Sequence, residues 1–370
     1  MRETRGMTLR SALVGLLLTL CIVGAEGQVR SEQYFTNSLP DNSVVYALPR
    51  TLLYAHVTID ELQEEPGELA LYARQYLGET NAILKPARRF VLRNVEIGSY
   101  GTPDEERRYS VRFRRNSSAT YVTLASNGLL VGINTPSAEV EELPETNREV
   151  IREPLGSQLG SPLPPEYIQA TTTAKRAEIA AEELYRIRDS KNRVISGESE
   201  QPFRDGEALR LAIGRLDQTE QQLTQYFLGQ HTEVRETHLV TGLDPSVREQ
   251  RVAFRFSEQE GLLHADDLRG EPIYLNIEVL EEAVPLSEKE QSQKERALRR
   301  GIIYVVPGRV MVTLTYRGDA IAKQEIPVAQ LGALEVLDET LFTTKGVRTA
   351  ILFHTDSGAI AKVQEVAAQD

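Results

Sequence analysis

The most reactive combination in this 370-residue chain is His264-Ala-Asp-Asp267, an imidazole beside two carboxylates. Such a group can offer nitrogen and oxygen ligands to a divalent cation, but its spacing matches no established metal motif. A solvated loop accounts for the same four residues. The other histidines, His56, His231, His238 and His354, fall in strand-like stretches or at their ends. No two stand at i, i+4 on a helix, as a zincin requires. Ser357 lies in Asp356-Ser-Gly358 without a Gly-x-Ser-x-Gly elbow, and Asp, Ser and Gly are ordinary hairpin-turn residues. A Walker loop is absent. Among 54 acidic residues, a glycosidase carboxylate pair cannot be chosen by spacing. The sequence therefore assigns no catalytic residue, no metal ligand and no cofactor.

Ionic recognition is the other chemistry on offer. Arg108, Arg112 and Arg114, with Arg115 following, alternate with Tyr109, Val111 and Phe113, so a strand here carries a basic outer strip. On a chain of net charge −12 this strip could receive an acidic partner or a phosphate-bearing glycan. It could equally keep a strand soluble or block edge pairing. Arg186 and Arg188, in Tyr185-Arg-Ile-Arg-Asp189, form a second possible partner contact. The alternative is that they pair with nearby acids, where planar guanidinium groups make bidentate contacts.

Two helices are expected to present that second group. Ala177, Ala180, Ala181, Leu184 and Ile187 recur at helical spacing after the Thr171–Thr173 hydroxyls, which can cap. A polar loop, 197–206, leads through Asp205 as N-cap to a second stripe of Leu209, Ala212, Ile213, Leu216, Leu223 and Phe227, closed by Gly229. Short-loop stripes of this kind pack antiparallel. The fold expected is α+β, with β-rich regions at both ends and a central antiparallel helical hairpin over 171–230.

The flanks read as strands. Leu53, Ala55, Val57 and Ile59 alternate with Tyr54, His56 and Thr58, and Pro49 separates this run from Val44–Leu48. Phe90 to Ile97 is expected to end in a turn at Gly101-Thr-Pro-Asp104. Asn127-Gly128 between apolar runs marks a hairpin. Residues 28–135 form an expected N-terminal β-rich domain, 136–170 a Pro/Glu-rich linker, and 231–370 a C-terminal β-rich domain. In the last, Ser287-Glu-Lys-Glu290 is a capping box. A weak repeat aligns Val44-Val-Tyr-Ala-Leu-Pro49 with Ile302-Ile-Tyr-Val-Val-Pro307.

Residues 1–27 read as a signal peptide: Arg2, Arg5 and Arg10, then apolar Ala12–Val23, then Ala25 and Gly27 at a peptidase site. Cleavage there removes three bases and two acids and takes the net charge from −12 to −13. That charge disfavours nucleic acid as a partner. Cys21, the single cysteine, leaves a lipoprotein anchor open, although Leu20 before it is larger than such signals favour. No later apolar run is long enough for a membrane helix.

Tyr76-Leu-Gly78, Tyr100-Gly-Thr-Pro-Asp104, Tyr185-Arg-Ile-Arg188, Gly301-Ile-Ile-Tyr304, Pro327-Val-Ala-Gln-Leu-Gly332 and Gly358-Ala359 carry a likeness that spans nearly the whole mature chain. It resembles a Bacteroidota family of exported proteins catalogued as domain of unknown function 4831. The resemblance implies an envelope location and carries no activity or site residues. The expectation is an exported protein of the periplasm or outer membrane. It would be a non-enzymatic binding or assembly module with a protein or glycan partner. A glycan- or peptide-directed hydrolase using carboxylates is the alternative.

Overall fold

The structure, a computed structural model, describes residues 29–34, 43–113, 122–135, 142–152, 162–198, 206–338 and 347–367. Among the described residues, strands take 52% and helices 25%, and the strands form three antiparallel sheets. The expected α+β class with a central helical hairpin is thereby overturned. The molecule is mostly β, and its organising elements are four long strands.

The first sheet contains β1 (Val29–Gln33), β2 (Ser43–Glu65), β3 (Ala87–Phe113), β6 (Arg148–Arg152) and β7 (Gln230–Leu243), in the order β1-β3-β2-β7-β6. The second contains β8 (Arg251–Ser257), β9 (Gly261–Leu263), β10 (Glu271–Glu281), β11 (Gly301–Tyr316) and β12 (Asp319–Asp338), in the order β12-β11-β10-β8-β9. The third contains β4 (Val122–Leu124), β5 (Leu130–Ile133), β13 (Val347–Phe353) and β14 (Ile360–Ala367), in the order β14-β13-β5-β4.

Period-two patterning explains the main core. Leu53, Ala55, Val57 and Ile59 on β2 are buried, while Tyr54, His56 and Thr58 on the other face are partly exposed. The buried set packs with Phe254, Ile273, Leu275, Val312 and Leu314 of the second sheet, so two sheets face each other as a sandwich. Each such side chain contributes about 1.5–3 kcal/mol on burial. A second core gathers Tyr46, Leu48 and Val111 from the first sheet, Ile302, Val305 and Leu337 from the second, and Ile133, Ile351 and Phe353 from the third.

Prolines bend the long strands without ending them. Pro49 lies opposite Pro103, and the β2–β3 ladder slips between Ala47 and Pro49. Gly101–Asp104 is therefore part of a continuous strand rather than the turn its residues suggested. The β11–β12 ladder slips in the same way between Val306 and Gly308, around Pro307. Proline brings no N–H to a ladder, so a register slip is where it fits. The two segments of the weak repeat thus occupy equivalent places. Each opens a strand paired on one side with its successor and on the other with β7 or β10.

Sheets also cross the expected linker. β2 pairs with β7, β5 pairs with β13, and β6 is a strand inside the stretch read as linker. Its composition hid it: five exposed residues with three charges give no apolar alternation.

The helices sit beside this framework. They are α1 (Ala73–Leu77), preceded by a 3-10 turn at Ala70–Tyr72, α2 (Pro165–Gln169), α3 (Thr173–Ser196), α4 (Gly206–Leu228) and α5 (Glu288–Leu298). α3 buries Ala177, Ala180, Ala181 and Leu184, and α4 buries Leu223 and Phe227. They share a small cluster with Leu69, Ala73 and Tyr167. Leu209, Ala212, Ile213 and Leu216, read as a full stripe, stay only partly covered. Asp205, the expected N-cap, lies outside the described residues. The Ser287–Glu290 capping box is formed, and α5 has no fully buried residue.

Candidate functional site

A groove with a hydrogen-bonding lining is built where α4 turns into β7. Gly229 makes that turn at φ 85°, with Glu65 O 2.4 Å from where a Cβ would stand, so only glycine fits. Leu228 O accepts a hydrogen bond from Ile83 N at 2.9 Å, laying the 79–86 connection against the helix end. The groove has a volume of about 600 Å³ and includes Asn81, Arg152, Arg188, Lys191, Gln225 and His231 in its lining. Asp217, Glu220, Gln221 and Thr224 supply the helix α4 wall, and Gln230 continues it into β7.

Its charges are organised. Arg188 Nε donates to Glu220 Oε1 at 2.8 Å, and Lys191 Nζ reaches Glu220 Oε2 at 3.0 Å and Asp217 Oδ1 at 2.6 Å. Burial works to raise the Glu220 pKa, but the hydrogen bonds from Arg188 and Lys191 outweigh it and hold the carboxyl below the usual range. Hydrogen bonds to Asp217 and Glu220 raise Lys191 correspondingly. Arg188 also lies over the Tyr185 ring at 5.8 Å, and Tyr185 OH donates to Tyr76 O at 2.7 Å. Gln230 Nε2 donates to Glu65 Oε2 at 2.6 Å.

The five arginine positions read from sequence as partner contacts do not form one site. Arg188 lines the groove. Arg186 pairs with Glu183 on its own helix. Arg108 pairs with Glu105 at 2.8 Å. Arg112 is exposed, directly opposite Arg30 of β1. Arg108 opposes Ala47, whereas the groove lies beyond Glu64 of the same strand, roughly 55 Å away along it at ~3.3 Å per residue. Arg114 lies outside the described residues.

The remaining sequence candidates separate as well. His264 is 82% exposed and 3.3 Å from Asp266 Oδ2, while Asp267 turns to Arg269, whose hydrogen bonds hold it down at about 2. No group of three metal-ligating side chains occurs among the described residues. Ser357 is buried, 1% exposed, at a junction of the three sheets.

That junction is dense with polar contacts. Thr51 Oγ1 donates to Asp356 O at 2.7 Å and accepts from Ala329 N at 2.9 Å. Gln330 accepts from Thr51 N and donates back to Thr51 O. Ser99 Oγ donates to Asp356 Oδ2 at 2.6 Å. A Cβ on Gly101 would lie 1.8 Å from Thr355 O.

Sequence reading missed Asn81, Arg152, Lys191, Gln221, Gln225 and Gln230. A signal existed for part of the set: Asp217, Glu220, Gln221, Thr224 and Gln225 recur at three- and four-residue spacing, which gives α4 one continuous polar face. Nothing in the sequence placed β6 or the 79–86 connection beside that face.

Fold and site together define an antiparallel β scaffold that carries an open, hydrogen-bonding groove. The chain belongs to the family described as Domain of unknown function (DUF4831), whose model matches residues 42–361. No curated protein and no solved structure matches it. Three of the six segments that carried the likeness, Tyr100–Asp104, Pro327–Gly332 and Gly358, converge on the three-sheet junction, where they help lock the scaffold.

Proposed function

We propose that this protein is a non-enzymatic binding module of the cell envelope, exported to the periplasm or to the outer membrane. A protein or glycan partner is held at the groove between α4, β7 and Arg152. The observation that carries this reading is the groove's lining. Amides, a hydroxyl and two cations, Arg188 and Lys191, already paired with carboxylates suit recognition by hydrogen bonding.

The direction of the carboxylate shifts weighs against the hydrolase alternative. Asp60, Glu61, Glu220, Asp244, Asp267, Glu271 and Glu290 are all held below the ordinary range. A general acid working near neutral pH needs the opposite displacement. Export is supported by the basic, apolar and small-residue order of the first 27 residues. No described helix is long and apolar enough to cross a membrane.

Photo-crosslinking from Gln225 in intact cells tests the site. A crosslinked product that disappears when Asn81 and Arg152 are replaced supports it, and a groove that captures nothing under several growth conditions removes it. Sequencing of the mature N-terminus tests export: Gln28 as first residue is expected. Palmitate incorporation abolished by Cys21→Ser would replace the soluble form with a lipoprotein.

A further inference from the structure

We infer that the groove's ligand is an acidic oligosaccharide, a class that deepens the binding reading above and rests on it. The lining decides between ligand chemistries. Peptide sites use apolar pockets for side chains, and drug-like sites are mostly apolar with a few polar groups. Among the described lining residues, Leu228 is the one large apolar side chain, against Asn81, Gln221, Gln225, Gln230 and Thr224. Each amide both donates and accepts, which is what neighbouring sugar hydroxyls require, since each of them does the same.

The charges add a second criterion. Arg152, Arg188 and Lys191 face Asp217 and Glu220, a surplus of one positive charge before His231 is counted. Arg188 and Lys191 are already engaged by Glu220 and Asp217. Arg152 is exposed at the end of β6, where a ligand carboxylate can meet its planar fork in a bidentate contact. The paired carboxylates then remain as acceptors for sugar hydroxyls. The open shape admits a chain that enters and leaves, rather than a single enclosed ring.

Calorimetric titration of the mature chain with tetragalacturonate, and with its carboxyl-reduced neutral counterpart, tests the assignment. Saturable binding of the acidic form is expected, at least tenfold tighter than the reduced form. Arg152→Gln should abolish the difference between the two, and Gln225→Ala should weaken both, with melting temperatures unchanged in each variant. No saturable binding, or equal binding of both forms by the wild type, overturns the inference. Its failure is separable from failure of the binding reading. If tetragalacturonate does not bind but the Gln225 crosslink still captures a protein in cells, the groove is a protein site and only the ligand class falls. If neither is seen, both fall.

Discussion

Asp60 shows how this chain handles charge inside a sheet. Its carboxylate is fully buried, yet Arg235 contacts it through two nitrogens at 2.8 and 3.0 Å, and Arg93 approaches to 2.5 Å. The Arg235 hydrogen bond is the main cause of its lowered pKa; burial opposes it, and Arg93 adds to it. Because the folded pKa is depressed, the stability Asp60 contributes is present above the unfolded value near 4 and lost as pH falls through the folded value. Asp60→Asn is expected to cost about 1–2 kcal/mol at pH 7, since it takes a buried charge partner from two guanidinium groups that stay partly solvated. It should also flatten the acid limb of stability against pH. Urea titrations of wild type and variant from pH 7 to pH 2 measure both effects. A second residue-scale prediction concerns Gly101. An added methyl there would stand 1.8 Å from Thr355 O, so Gly101→Ala must push β3 away from the turn between β13 and β14, at a cost of roughly 3 kcal/mol. Differential scanning calorimetry would show a correspondingly lower Tm.

The elements differ in what holds them. β2 and β3 are secured along their whole length by ladders and by cores on one face, so their prolines are accommodated as slips. α5 has no fully buried residue; it leans on Leu298 against the second core, on its capping box and on part-buried ion pairs such as Lys294–Glu335. Ser287→Ala is therefore expected to cost about 1 kcal/mol locally. Hydrogen exchange should quicken over 288–298 while protection in β11 and β12 stays the same. Much at this scale was legible in the sequence. Alternation marked β2, Asn127-Gly128 marked the β4–β5 turn, and Ser287–Glu290 marked the start of α5. Strand length was not legible, because Pro49 and Gly101-Thr-Pro103 carry the same local signal as a true turn. What rescues them is the partner strand, which supplies pairing on both sides of the slip. β6 was hidden for a related reason: an edge strand exposed on both faces needs no apolar pattern.

At the scale of the molecule, the ladders between β2 and β7 and between β5 and β13 tie strands within residues 43–133 to strands within residues 230–353. Fragments 28–135 and 231–370 expressed separately are each expected to lack a cooperative thermal transition, and to recover one when co-expressed. Two independent transitions from the separate fragments would contradict the interlaced sheets. The intact chain should unfold with coincident fluorescence and circular dichroism curves, as one cooperative unit. Arg108 and Arg112 lie toward the end of β2 and β3 opposite the groove.

The residue order by itself determined the local grammar: which stretches pleat, where helices cap, which face of a strand is apolar, and which family the chain resembles. Those features depend on neighbours within a few positions, so spacing is enough to reveal them. Only the tertiary structure decided that strands rather than the helical pair organise the protein, that Asp60 is buried between two arginines, and that Asn81, Arg152 and Gln225 share a groove. Each of those outcomes is a pairing between residues dozens to hundreds of positions apart, and local periodicity carries no information about which distant strand will close the ladder.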